Sequence, residues 1–160
     1  MKLLVVAALA LFAAAPASAA PNLDMVAFFT GKTHAENMMK VAFKRSARLV
    51  VDSFGGKGDR GDFVLVETVQ EETKPARTRK WIMRPAGPGH YIGSLTDAVG
   101  PVDIVVAGDS ATIRYTMKGG LKVDQQMRLR PDGRTLSNTV VVKKFGLRFA
   151  HIEGTIRKLD

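Results

Sequence analysis

The chain has no cysteine among its 160 residues. That excludes a disulfide framework, a thiolate nucleophile, a cysteine metal site and a lipid anchor on an N-terminal cysteine. It has no phosphate-cradling glycine loop and no dinucleotide fingerprint. Gly108-Asp109-Ser110-Ala111 is the nearest approach to a nucleophile turn, but Thr112 stands where that motif needs glycine. A hairpin turn accounts for the segment better. The apolar run from Leu3 to Ala15 is too short to cross a bilayer, which takes about 20 apolar residues. Acidic side chains are scarce, with 15 Asp and Glu against 24 Lys and Arg. Nothing names a reaction or calls for a cofactor, so the balance leans away from an enzyme.

The short apolar run has its own meaning. Met1-Lys2 precedes it and Ala17-Ser18-Ala19 comes after, giving a charged start, a greasy middle and a small-x-small cleavage site. This is the pattern of a secretory signal peptide over residues 1–19. Residues 20–160, about 140 in all, then form one domain able to bury a single core. The expected location is a Gram-negative periplasm, where the product is soluble. Lys2 leaves with the leader, so the remainder carries 23 basic against 15 acidic residues, a net charge of about +8. Such a charge draws anions over long range. Export argues against nucleic acid as the partner. The basic residues also recur along almost every strand instead of gathering in one block.

Alternation dominates the chain beyond the leader. From Ala111 to Met117 the odd positions are Ala111, Ile113, Tyr115 and Met117, with Thr112, Arg114 and Thr116 between them. From Leu121 to Leu129 the odd row is Leu121, Val123, Gln125, Met127 and Leu129. Gly119-Gly120 separates the two, a hairpin turn that tolerates positive φ. Turn signals recur at Gly55 to Gly61, Pro85 to Gly89, Gly100-Pro101, Gly108-Asp109 and Pro131-Asp132-Gly133. Strands are expected near 32–41, 44–54, 62–71, 77–84, 89–95, 101–107, 110–118, 121–130, 135–144 and 147–157. One short helix is expected over Asn22 to Thr30, capped by Asn22, with Leu23, Val26 and Phe29 on one face. A continuous meander closes on itself and removes exposed edges, so an antiparallel up-and-down barrel of eight to ten strands is preferred to a sandwich. Phe28 and Phe29 are expected to plug one end. The interior is either filled by side chains or holds one small ligand.

Several segments together carry a resemblance. They are Phe28-Phe29-Thr30-Gly31, Arg79-Lys80-Trp81, Tyr91-Ile92-Gly93, Asp97-Ala98-Val99-Gly100 and Tyr115, then Asn138 six residues before Lys144-Phe145-Gly146, with Arg148 and Arg157-Lys158 after it. In these the chain resembles the bacterial domain-of-unknown-function family 3833, which is lipocalin-like. The resemblance covers nearly all of the chain after the leader and implies an envelope-associated barrel of the calycin type. It implies no activity and brings no catalytic residues. Members of that family are often lipoproteins, which favours a lipidic ligand; this chain lacks their anchoring cysteine.

Candidate site residues emerge from strand phase. Arg79, Trp81 and Met83 share a face, and the first two can pair as cation and ring or clamp an anionic head group. The alternative is a core Trp covered by the Arg stem. Glu67, in phase with Phe63, Leu65 and Val69, needs a partner, and Arg79 across the hairpin is the candidate for an ion pair. Tyr91 and Tyr115 are core aromatics whose hydroxyls can line a pocket. Gln125 interrupts an inward apolar row, with Met127 next in it. It either reaches a polar group inside or sits wet at an open end. His34 with Glu36 and His151 with Glu153 lie in the first and last strands, which a closed barrel brings side by side. The four are a candidate zinc-type site, against the alternative of surface His–Glu links.

Three functions fit. The first is a periplasmic carrier that holds a fatty acyl or other small amphipathic ligand in the barrel, with arginines near the mouth meeting its anionic head. The second is an envelope protein with a filled core that binds anionic lipid or a protein partner through its basic exterior. The third is an enzyme acting on a lipid or hydrophobic small molecule. Oligomeric state is left open by the sequence.

Overall fold

A computed structural model describes residues 21–160, so the expected leader, 1–19, lies outside the described residues. A five-residue helix, α1 (Met25–Phe29), leads into ten strands. These are β1 (Gly31–Val41), β2 (Ala47–Lys57), β3 (Phe63–Glu71), β4 (Arg77–Gly87), β5 (His90–Leu95), β6 (Val102–Ala107), β7 (Ser110–Met117), β8 (Leu121–Leu129), β9 (Thr135–Lys144) and β10 (Leu147–Lys158). Each pairs antiparallel with its neighbours in sequence, and β1 also pairs with β10, so the sheet closes into a barrel. Closure leaves no open edge to recruit another chain.

The alternation predicted from sequence is what turns each strand inward on one side. In β7 and β8 the odd rows face the interior: Ala111, Ile113, Val123 and Met127 are buried. Gly119 and Gly120 between them have φ of 82° and 74°, the left-handed conformation that a tight hairpin requires. Three boundaries moved by three residues, one of them the end of β2, which runs to Lys57. β2 starts three residues later than expected, because the chain between β1 and β2 turns through Phe43 at φ 61°. β4 runs three residues further, to Gly87, through a register shift at Pro85 and Gly87. A bulge is where a strand tolerates proline.

The helix is capped by Asp24, not Asn22: the Asp24 carboxylate accepts from the Ala27 N–H at 2.9 Å. Its buried side is Met25, Phe28 and Phe29, with Val26 only half-buried. The reason is that α1 lies across the end of the barrel instead of along it. Leu23, just ahead of it, is tied by its N–H to the Gly108 carbonyl at 2.8 Å. The Lys158 ammonium at the end of β10 reaches the carbonyls of Ala27 and Phe28, each at 3.2 Å, and that of Thr30. A cation is well placed at the carbonyl end of a helix. The plug fits because Gly55 has no side chain: a Cβ there would stand 2.1 Å from the Phe29 carbonyl oxygen. One end of the barrel is thus sealed. At the other end, where β1, β3, β7 and β9 finish, no helix among the described residues lies across the opening.

Candidate functional site

Midway along the barrel, inward side chains from neighbouring strands meet as a polar layer. Register sets Glu67 of β3 opposite Arg79 of β4, as the sequence phase required. Glu67 is only 8% exposed, and its carboxylate takes the Arg79 Nε–H and the Trp81 Nε1–H, the latter at 2.7 Å. The guanidinium carbon stands 5.6 Å from the Trp81 ring centroid, and Tyr115 packs edge-on to Trp81 with centroids 5.7 Å apart. Burial opposes the Arg79 charge; Glu67, with Tyr115 and Asp97, more than offsets that, and the group stays above its ordinary value. Burial pushes the Tyr115 phenol up, against the opposing pull of Arg79.

A second polar chain continues the layer around the wall. Gln125 Nε2 donates to Asn138 Oδ1 at 2.7 Å, and Asn138 Nδ2 donates to Asn37 Oδ1 at 3.0 Å. Gln125 thus reaches a polar group inside the barrel, the side chain of Asn138, and is half-buried there. Asn37, which sequence patterning did not single out, is buried at the seam where β1 meets β10. It stands in the inward row Thr33, Ala35, Asn37, Met39, and that phase was the signal available for it.

Above this layer, toward the uncovered end, the interior is hollow. The cavity there measures about 730 Å³. Its walls are apolar, with Leu49, Val69, Val123, Val140, Val142 and Ile152 among the lining. Arg79 and Tyr115 form part of its floor, and Lys44, Arg45, Lys74 and Arg77 stand at its rim beside Glu71 and Glu72. Lys74 is paired with Glu71 at 2.8 Å, and Arg77 with Asp97. Below the floor, small voids of about 80 Å³ and 40 Å³ lie between the polar layer and Phe29 of the plug.

The residues singled out from the sequence are thus divided by depth. Arg79 and Tyr115 touch the mouth cavity. Trp81, Met83 and Met127 are buried beneath it and line the 40 Å³ void, where Gln125 also contributes. Tyr91, at the start of β5 near the plugged end, packs against the core and borders none of these cavities. The cavity wall itself was missed as a set, since each member is one more apolar residue in an inward row.

The four-residue metal constellation does not form. β1 and β10 do pair, and all four side chains lie on the outer face, but the register sets His34 opposite Arg157 and His151 opposite Lys40. The two imidazoles are six rungs apart, about 20 Å along the strands. His34 instead binds the Asp52 carboxylate through Nδ1 at 2.6 Å, and His151 stays with Glu153 at 2.7 Å. The Asp52 hydrogen bond raises the His34 pKa above its ordinary value, against a smaller opposing effect of burial. Among the described residues no group of three or more His, Cys, Asp or Glu is placed to hold a metal ion.

Comparison with known proteins adds the family and the fold. The family model described as "Protein of unknown function (DUF3833)" matches residues 3–158. Among solved structures, the S-type phycobiliprotein lyase CPES from Guillardia theta superposes with a TM-score of 0.63 at 4% identity, covering 84% of this chain and 91% of that one. Rv2717c from M. tuberculosis gives 0.61 at 13% identity, covering 89% and 100%. A protein of unknown function from the DUF3598 family of Nostoc punctiforme gives 0.60 at 9% identity, covering 92% of this chain and 53% of that one. No curated protein matches. At these identities the likenesses establish the lipocalin-like barrel and nothing finer.

Proposed function

The chain belongs to the DUF3833 family, and from that footing we propose that it is an exported carrier of a small amphipathic ligand held in the mouth cavity. One observation carries the reading: a barrel sealed at one end by α1 holds, at the other, an apolar-walled space of about 730 Å³. Pockets of about 300–1,000 Å³ suit small organic ligands, and a filled core would leave no such volume. The ligand class comes from the lining. The wall accepts a fatty acyl chain or a similar apolar body. Lys44 and Arg45 at the rim offer charge to an anionic head. At the floor the Arg79 guanidinium has one N–H committed to Glu67, and its remaining donors and the Tyr115 hydroxyl are the polar groups a ligand's inner end would meet. The leader pattern over residues 1–19 supports export, and the periplasm is the compartment assigned to the carrier.

The test fills the wall. Val140→Trp puts a large ring into the cavity, and Val140 is flanked there by Val123, Val142 and Ile152. Native mass spectrometry after mild purification should find a lipid-sized adduct on the wild type and a bare mass on the variant. A fluorescent fatty acid should bind the delipidated wild type and fail on the variant, while both melt cooperatively. A wild type that is always bare and binds no fluorescent fatty acid refutes the carrier.

A further inference from the structure

Two neighbouring turns at the open end break the rules that the rest of the barrel keeps. The β1–β2 turn presents Phe43 and the β9–β10 turn presents Phe145, at 108% and 93% relative exposure. Both have left-handed backbones, φ 61° and 51°. Bulky side chains are rare there, and Asn, Asp or Gly is the usual occupant. Neither ring is packed into the barrel; the one partner either has is the Lys144 ammonium, which lies over the Phe145 ring 5.7 Å from its centroid. The turns lie side by side, because β1 and β10 pair up to Val41 and Ala150 and the Ala42 N–H then reaches the Phe149 carbonyl at 2.9 Å. Leu147 on the second turn is 75% exposed.

The charge on these two turns and the strand ends that carry them is of one sign, and the acids of the mouth, Glu71 and Glu72, belong to the β3–β4 side of the rim. Segments 37–47 and 138–152 contain no Asp or Glu. They carry Lys40, Lys44, Arg45, Lys143, Lys144 and Arg148, and among the described residues none of these six is in an ion pair. Elsewhere on the barrel seven of the seventeen basic groups of the described residues are matched, as Arg114 is by Asp124 and Arg128 by Asp109. Exposed aromatic tips set among unpaired cations match a bilayer interface with anionic head groups, the rings entering the acyl boundary and the cations meeting phosphate.

We infer that the barrel docks mouth-first on an anionic phospholipid bilayer, with Phe43 and Phe145 inserted and the flanking lysines and arginines on the head groups. Lys44 and Arg45 belong both to this surface and to the cavity rim, so docking sets the opening against the membrane. Loading of the cavity from that membrane rests on the carrier reading; the docking itself stands on the turns and their charge.

The test uses the chain from Ala20 onward, which contains the whole barrel. It is sedimented with vesicles of phosphatidylcholine alone or with one part in four phosphatidylglycerol. Binding is expected to the anionic vesicles only and to fall as salt rises. The double variant Phe43→Asn, Phe145→Asn should bind at least about tenfold more weakly, since two rings no longer leave water. Its melting temperature should be unchanged or higher, since asparagine accepts the left-handed backbone. Lys144→Ala should weaken binding roughly fivefold. The double variant should still bind the fluorescent fatty acid in vesicle-free buffer, which separates loss of docking from loss of the carrier. Equal vesicle binding by wild type and double variant overturns the inference, as does no binding to anionic vesicles. Self-association of the wild type that the double variant abolishes would assign the face to a second copy and would overturn it too.

Discussion

Replacing Glu67 with alanine should cost the barrel about 4 kcal/mol. The carboxylate is buried, and it holds the Arg79 guanidinium and the Trp81 indole N–H together. Removing one partner of a buried ion pair typically costs about 3–5 kcal/mol, because the other charge is left without compensation. The orphaned indole N–H adds to this, on the order of 1 kcal/mol. Arg79 borders the mouth cavity, so water there restores part of its solvation and keeps the total near the middle of the range. For a domain of this size about 4 kcal/mol corresponds to a fall of roughly 10–15 °C in melting temperature. Glu67→Leu with Arg79→Met removes both charges and should recover at least about 2 kcal/mol of the summed single losses, since apolar replacement of a buried pair is often near neutral. Urea denaturation of the wild type, both single variants and the double variant measures each term, with the slope confirming that all unfold alike. If Glu67→Ala costs under about 1 kcal/mol, or the single effects simply add, the polar layer is not an electrostatic clamp and the reasoning fails.

Two further outcomes come from the geometry. Gly154 lies on the seam, and a Cβ there would stand 2.0 Å from the Glu36 carbonyl oxygen and 2.6 Å from the Asn37 Cα. Gly154→Ala should therefore push β10 off β1 and destabilise by roughly 3 kcal/mol or more, with hydrogen exchange rising first along residues 33–41 and 150–158. His34 has a raised folded pKa, so its contribution is fully present below the ordinary value of 6.5 and is lost as pH rises through the folded value. The His34→Gln variant should show a smaller loss of melting temperature than wild type on going from pH 6 to pH 8. The difference is small, since this pair is on the outer face and solvent screens it.

How far the sequence could be read depended on the range of the forces involved. Strand after strand was legible because side-chain alternation is a local signal, and Gly119-Gly120 marked a turn by its own conformational preference. The Glu67–Arg79 pair was legible too, since a short hairpin fixes which residues face each other. The cap was not: Asn22 and Asp24 are both good caps, and only the docking of α1 across the barrel end decides between them. The metal constellation failed on register. A closed meander guarantees that the first and last strands pair, but their stagger belongs to the whole barrel and left His34 and His151 six rungs apart. Depth was illegible for the same reason. Arg79, Met83, Tyr91, Tyr115 and Met127 all look alike as inward residues, yet only Arg79 and Tyr115 border the mouth cavity.

The pairing of β1 with β10 also governs how the molecule comes into being. Its tightest rung, Val41 to Ala150, joins positions 109 residues apart. Every other ladder links neighbours in sequence and can zip as soon as its hairpin turns. The nascent ribbon therefore carries two bare edges until the last strand arrives, and the entropy of that long closure is met only at the final step. Folding on the scale of milliseconds to seconds is the natural pace for such high contact order. During that interval the chain is at its most vulnerable to strand exchange with its own kind, a hazard that vanishes once the ring is shut.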